Sequence, residues 1–109
     1  LTALELYDNQ IKRMNIPAGV TSLTNLDMSY NNIRDTTDLS HLQLCETFYC
    51  ARNKLTQIDG VRNMVNLRIL DLGANRIRVM ENLELLVNLQ ELWLGNNKIT
   101  EIQGLETLT

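Results

Sequence analysis

The sequence predicts a repeat solenoid of the α/β class: stacked short units with a parallel β-sheet on the concave side and helical or 3₁₀ turns returning along the convex side. Two observations predict it. Asn9, Asn31, Asn53, Asn75 and Asn97 recur every 22 residues without a slip. Each follows an apolar alternation at the same offset: Leu4/Leu6, Leu26/Met28, Phe48/Cys50, Leu70/Leu72 and Leu92/Leu94. Self-similarity at a fixed period of this length marks supersecondary units that cannot bury their apolar faces alone and must stack.

The alternation has the period of a strand, so its apolar residues turn inward and the residue between them turns outward. Two residues beyond each Asn comes a further aliphatic, Ile11, Ile33, Leu55, Ile77 or Ile99. The second half of the unit spaces apolar residues by three, as in Ile58, Val61 and Met64. That spacing suits a tight helical or 3₁₀ turn. Pro17, Ala18 and Gly19 replace it in the first unit and predict an extended return there. Thr36 stands where the second unit would carry an aliphatic.

The recurrent Asn has a structural task. Its amide holds both donors and an acceptor, and so can satisfy backbone groups where the chain leaves the strand. A ladder of five such residues holds successive turns in register. The units run 1–22, 23–44, 45–66, 67–88 and 89–109 in one domain. Leu1 falls inside a unit and Thr109 near the end of another, so the expectation is a segment of a longer solenoid.

Composition narrows the function. The chain has 109 residues, 44% hydrophobic and only 5% aromatic, which describes a layered aliphatic core rather than an aromatic-lined cofactor cavity. A formal net charge of -3 gives no global attraction to nucleic acid or an anionic membrane. No stretch approaches the roughly 20 apolar residues of a membrane span. The two cysteines, Cys45 and Cys50, fall on inward positions and read as reduced core thiols suited to a reducing compartment. His41 reads as a solvated residue of the convex side. There is no phosphate-cradling glycine loop, no Ser/His/Asp or Cys/His set and no metal-ligand spacing. The reading is therefore a non-enzyme without metal or cofactor, with no small-molecule substrate.

Function is left to the outward residues. The column between the strand leucines is Glu5, Asp27, Tyr49, Asp71 and Trp93, with Glu91 in the column two residues earlier. Strands about 4.7 to 4.9 Å apart make Tyr49, Asp71 and Trp93 a nearly continuous strip. Trp and Tyr are enriched among binding hot spots, so the strip is read as a protein-binding surface. Just past the ladder runs a second row, Gln10, Asn32, Lys54, Arg76 and Lys98, with Lys12, Arg34 and Arg78 two residues on, which makes a basic edge. Such an edge can contact phosphate, and charged edges also serve solubility alone.

The units LRILDLGANRIRVMENLELLVN and LQELWLGNNKITEIQGLETLT resemble the 22-residue class of leucine-rich repeat. Within it, LELYDNQIK, LDLGANRIR and LWLGNNKIT resemble the leucine-rich-repeat regulatory subunits of protein phosphatase 1, the SDS twenty-two homologues. That resemblance implies a nuclear or cytoplasmic scaffold binding the protein phosphatase 1 catalytic subunit through acidic and aromatic concave residues. The pattern falls on Asp27, Asp71 and Trp93, with Tyr49 and Glu5 in equivalent columns. Trp93 replaces an expected Phe, and Asp71 an expected Glu. The alternative is another intracellular leucine-rich-repeat adaptor, axonemal or splicing-associated, with a different protein partner.

Overall fold

In the computed structural model the described residues are 3–5, 10, 21–34, 39, 41–58, 61, 64–83, 85–99 and 101–102. Asn9, Ile11, Pro17 and Thr36 lie outside them.

Each apolar alternation begins as a three-residue strand: β1 Ala3–Glu5, β2 Asn25–Asp27, β3 Thr47–Tyr49, β4 Ile69–Asp71 and β6 Glu91–Trp93. They form one parallel sheet in the order β1-β2-β3-β4-β6. The register pairs Leu4 with Leu26, Leu26 with Phe48, Phe48 with Leu70 and Leu70 with Leu92. Each unit thus occupies one rung of a parallel-sheet solenoid, consistent with a horseshoe.

Pairing continues beyond the strands. Met28, Cys50 and Leu72 donate their N–H groups to the carbonyls of Tyr49, Asp71 and Trp93 in the following unit, at 2.7 to 2.8 Å. Past the ladder, Lys54, Arg76 and Lys98 donate to Ile33, Leu55 and Ile77 in the preceding one, at 2.8 to 2.9 Å. Neighbouring units therefore exchange hydrogen bonds along much of the sheet side, which satisfies a backbone that would be costly to bury unpaired.

The inward residues build one continuous core. Leu26, Phe48 and Leu70 are fully buried beneath the strands. Ile33, Leu55 and Ile77 are equally buried beyond the ladder. Leu42, Met64 and Leu86, 22 residues apart, fill the return side. Cys45 and Cys50 are free thiols with no exposed surface, packed as the small hydrophobes expected of them.

The helical or 3₁₀ turns expected on the return path are not confirmed. Among the described residues there is no helix. Single turns follow one another instead: Met64 donates to Val61 and Leu67 to Met64, at 3.0 and 3.1 Å, and the same pair of bonds recurs at Leu39, Leu42 and Cys45 and at Leu83, Leu86 and Leu89. Each turn closes at the next apolar residue, so a spacing of three serves linked turns as well as a helix. A short convex ladder also forms, with β5 Val79–Met80 parallel to β7 Glu101–Ile102. Extended backbone covers the distance back to the next strand with fewer residues than a helix, at about 3.3 Å rather than 1.5 Å per residue.

Candidate functional site

The Asn ladder places the outward residues. Asn53 Nδ2 donates to the carbonyls of Met28, Cys50 and Ala51 at 3.0, 3.3 and 3.1 Å. Its Oδ1 accepts the N–H of Ile33 at 3.0 Å. Asn75 repeats the arrangement on Cys50, Leu72 and Gly73, and accepts from Leu55. Asn97 bonds Leu72, Leu94 and Gly95, and accepts from Ile77. Asn31 donates to Met28 and Ser29. Each of Asn53, Asn75 and Asn97 therefore fastens its own turn to the previous one.

The residue before each of Asn31, Asn53, Asn75 and Asn97 is left-handed: Tyr30 has φ 60°, Arg52 55°, Ala74 55° and Asn96 59°. The chain makes its exit bend there. Tyr30 is exposed, and the Arg52 guanidinium lies 5.4 Å from the centre of its ring. Sequence reading passed over this column, although Tyr30, Arg52, Ala74 and Asn96 share the 22-residue spacing.

On the sheet face, Glu5, Asp27, Tyr49, Asp71 and Trp93 fall in direct register on successive strands. Glu5 and Glu91 are exposed, whereas Asp27, Tyr49 and Asp71 are half-buried. Trp93 is 57% exposed, far more than a ring of that size shows when it is packed. A hollow of about 210 Å³ lies over β1 to β3, bordered by Glu5, Asp27, Thr47 and Tyr49. The column thus joins an acidic hollow to an exposed indole.

Two of its carboxylates have local duties. Asp27 Oδ1 accepts the N–H of Ser29 and Asp71 Oδ1 that of Gly73, each at 3.0 Å. These are bonds of an Asp to its own backbone two residues on, which fix the chain as it leaves the strand. Both carboxylates, with burial as the larger cause, push the Cys50 thiol up to about 12; burial pushes Cys45 up to about 11. Neither thiol is a nucleophile at neutral pH.

The other side chains singled out from sequence are also placed. His41 is half-buried rather than solvated, with its Nε2 shielded and without a hydrogen-bond partner among the described residues. Leu39 and Leu42, close to it in sequence, are fully buried. Arg76, Arg78 and Lys98 border a groove of about 650 Å³ with Thr56, Val79 and Glu81. A second amide ladder escaped sequence reading: Asn66 donates to the carbonyl of Gln43 at 2.6 Å, and Asn88 to that of Val65 at 3.1 Å. Their 22-residue separation was the available signal. Among the described residues no group of His, Cys, Asp and Glu is arranged to hold a metal ion.

A rung-by-rung parallel sheet fastened by buried amides defines a repeat protein that offers an open face. Two models of the same repeat match the chain, a single leucine-rich repeat over residues 22–48 and a pair of them over residues 65–107, together more than half its length. The chain belongs to the leucine-rich repeat family. Members of this family generally act as non-enzymatic scaffolds for protein interaction. Both models describe the repeat in general and do not single out the phosphatase regulators.

No curated protein matches the chain in sequence. Among solved structures it is similar to a leucine-rich repeat protein of Leptospira interrogans, at 28% identity and a TM-score of 0.85, over 94% of this chain and 27% of that one. It is also similar to the functional domain of InlJ from Listeria monocytogenes, which includes a cysteine ladder, at 28% identity and a TM-score of 0.84, over 100% of this chain and 24% of that one. Internalin C2 of Listeria monocytogenes is similar at 28% identity and a TM-score of 0.76, over 99% of this chain and 57% of that one. The chain spans less than two thirds of the length of each.

Proposed function

We propose that this chain seats a partner protein on its sheet face, with Tyr49, Asp71 and Trp93 at the centre of contact and Glu5, Asp27 and Glu91 around them. The observation that carries the proposal is Trp93, 57% exposed and in register with Asp71. A large exposed ring beside a carboxylate suits a partner that brings apolar surface and a basic side chain together. The backbone bonds to Asp27 and Asp71 hold those carboxylates in place, which lowers the ordering cost of binding.

For the partner we propose the catalytic subunit of protein phosphatase 1, with the scaffold working in the nucleus or cytoplasm. The support is the resemblance of LELYDNQIK, LDLGANRIR and LWLGNNKIT to the regulatory subunits of that phosphatase. Free, buried thiols suit a reducing compartment. The proposed role is regulation by binding, without catalysis in this chain.

The test is a titration of purified phosphatase catalytic subunit with the chain and with its Trp93→Ala, Asp71→Ala double variant. Saturable binding that the double variant loses supports both partner and face. Binding that the variant retains moves the interface elsewhere. Absence of binding by both removes the phosphatase and favours an adaptor for a different protein.

A further inference from the structure

The groove beyond the Asn ladder has the opposite electrostatic character to the sheet face. Arg76 and Lys98 hold the same position in successive units, each anchored by its backbone N–H on the preceding unit. Ile77 turns into the core, so Arg76 and Arg78 emerge together on its two sides. Thr56 forms part of the wall from the preceding unit. Val79, held in β5 by pairing with β7, forms part of the outer wall. The open groove, about 650 Å³, is within the size range of ordinary ligand sites.

Among the described residues, Arg76, Lys98 and the already engaged Arg78 border this space, with one carboxylate, Glu81. Among the described residues Arg76 and Lys98 have no ion-pair partner. By contrast, Arg68, outside the groove, lies 3.5 Å from Glu46. The whole chain has a net charge of -3, so the cations gather here against its overall balance. Bringing like charges to one concavity has a self-repulsive cost that a bound anion offsets.

We propose that this groove is a binding site for a phosphate group, either on a small free phosphate compound or on a phosphorylated protein side chain. A phosphate presents several oxygens and close to two negative charges, and so can engage donors from more than one side. The planar Arg76 fork suits two of those oxygens, Lys98 supplies a point charge from the next unit, and the Thr56 hydroxyl supplies a neutral donor. Glu81 opposes the bound charge and limits affinity. The site shares no residue with the proposed partner-binding strip, so either can fail without the other.

The test is calorimetric titration of the full chain with two probes, inorganic tripolyphosphate and a phosphoserine pentapeptide, each at low ionic strength and at about 0.15 M salt, where exposed charges are screened beyond about 8 Å. Saturable binding of either probe is expected at both salt concentrations. An Arg76→Gln, Lys98→Gln variant should bind about tenfold more weakly or worse, the scale of losing a charge-assisted contact. Glu81→Gln should bind severalfold more tightly, a gain that no folding defect mimics. Arg68→Gln removes a cation outside the groove and should leave affinity unchanged. Tighter binding of the peptide assigns the site to protein-borne phosphate, and tighter binding of tripolyphosphate to a free one. No saturable binding of either probe, or equal weakening by Arg68→Gln and by the Arg76→Gln, Lys98→Gln pair, overturns the proposal.

Discussion

The N–H of Ile33 donates to Oδ1 of Asn53, 20 positions further along the chain, at 3.0 Å. Asn53 also satisfies the carbonyls of Met28, in the previous unit, and of Cys50, in its own. One side chain therefore serves as both donor and acceptor at the joint between two units. Asn53→Ala is expected to destabilise the fold by about 1 to 3 kcal/mol through orphaned buried groups. Asn53→Asp, of similar shape, should be at least as harmful, because it sets a carboxylate against carbonyl oxygens. Denaturant melts of the two variants check this, and an Asp variant as stable as wild type would contradict it.

Trp93 and Phe48 separate binding from folding. Phe48 is fully buried and the largest such side chain, so Phe48→Ala should cost about 3 to 5 kcal/mol. Trp93→Ala, on an exposed ring, should move the unfolding midpoint little while abolishing capture of the sheet-face partner. A large stability loss at Trp93 would make the ring a packing residue.

The left-handed column yields a stabilising substitution. Ala74 has φ 55°, a conformation in which a Cβ costs roughly 1 to 2 kcal/mol. Ala74→Gly relieves that cost, partly offset by the greater freedom of glycine in the unfolded chain. A net gain of up to about 1 kcal/mol is expected in a denaturant melt. Asn96 already carries a residue suited to this conformation, so Asn96→Gly should change little.

The thiols predict an alkaline limb in the stability profile. In the fold Cys45 and Cys50 are raised from the ordinary 9.0 to about 11 and about 12. Between those values the unfolded chain has released protons that the folded chain retains, so stability falls as pH rises. The contribution is complete below about pH 9 and is lost progressively toward pH 11 to 12. A Cys45→Ala, Cys50→Ala variant should show a flatter profile over this window. At pH 8 native protein should resist thiol labelling until it is unfolded; rapid native labelling would contradict the burial.

The sheet was legible because a strand imposes a period of two on its side chains and a stack imposes a period of 22 on its units. Leu26 and Phe48 obey both, Asn53 the second, and the register follows from them. The return path was less legible. Val61, Met64 and Leu67 fit linked single turns as well as a helix, and hydrogen bonding rather than spacing separates the two. The amides of Asn66 and Asn88 lie in the return segments, where no strand alternation sets them apart from solvated asparagines. His41 is half-buried between the buried positions Leu39 and Leu42 of the sequence, a degree of burial that a lone polar residue type does not reveal. For the candidate site, the alternation placed Tyr49, Asp71 and Trp93 on one face, whereas the bond from Gly73 to Asp71 needed coordinates.

The fixed offset between paired strands also governs how such a chain can change in length. Removing one whole unit from the interior brings together two faces that each already fit the same kind of neighbour, so the leucines, the exit bends and the carboxamides find new partners of the same chemistry. Removing a single residue from a strand turns the rest of that strand over, exposing its leucines and burying its carboxylates. Variation in length by whole turns is therefore the mild route, and the reach of the binding face can grow or shrink without redesign of the interior.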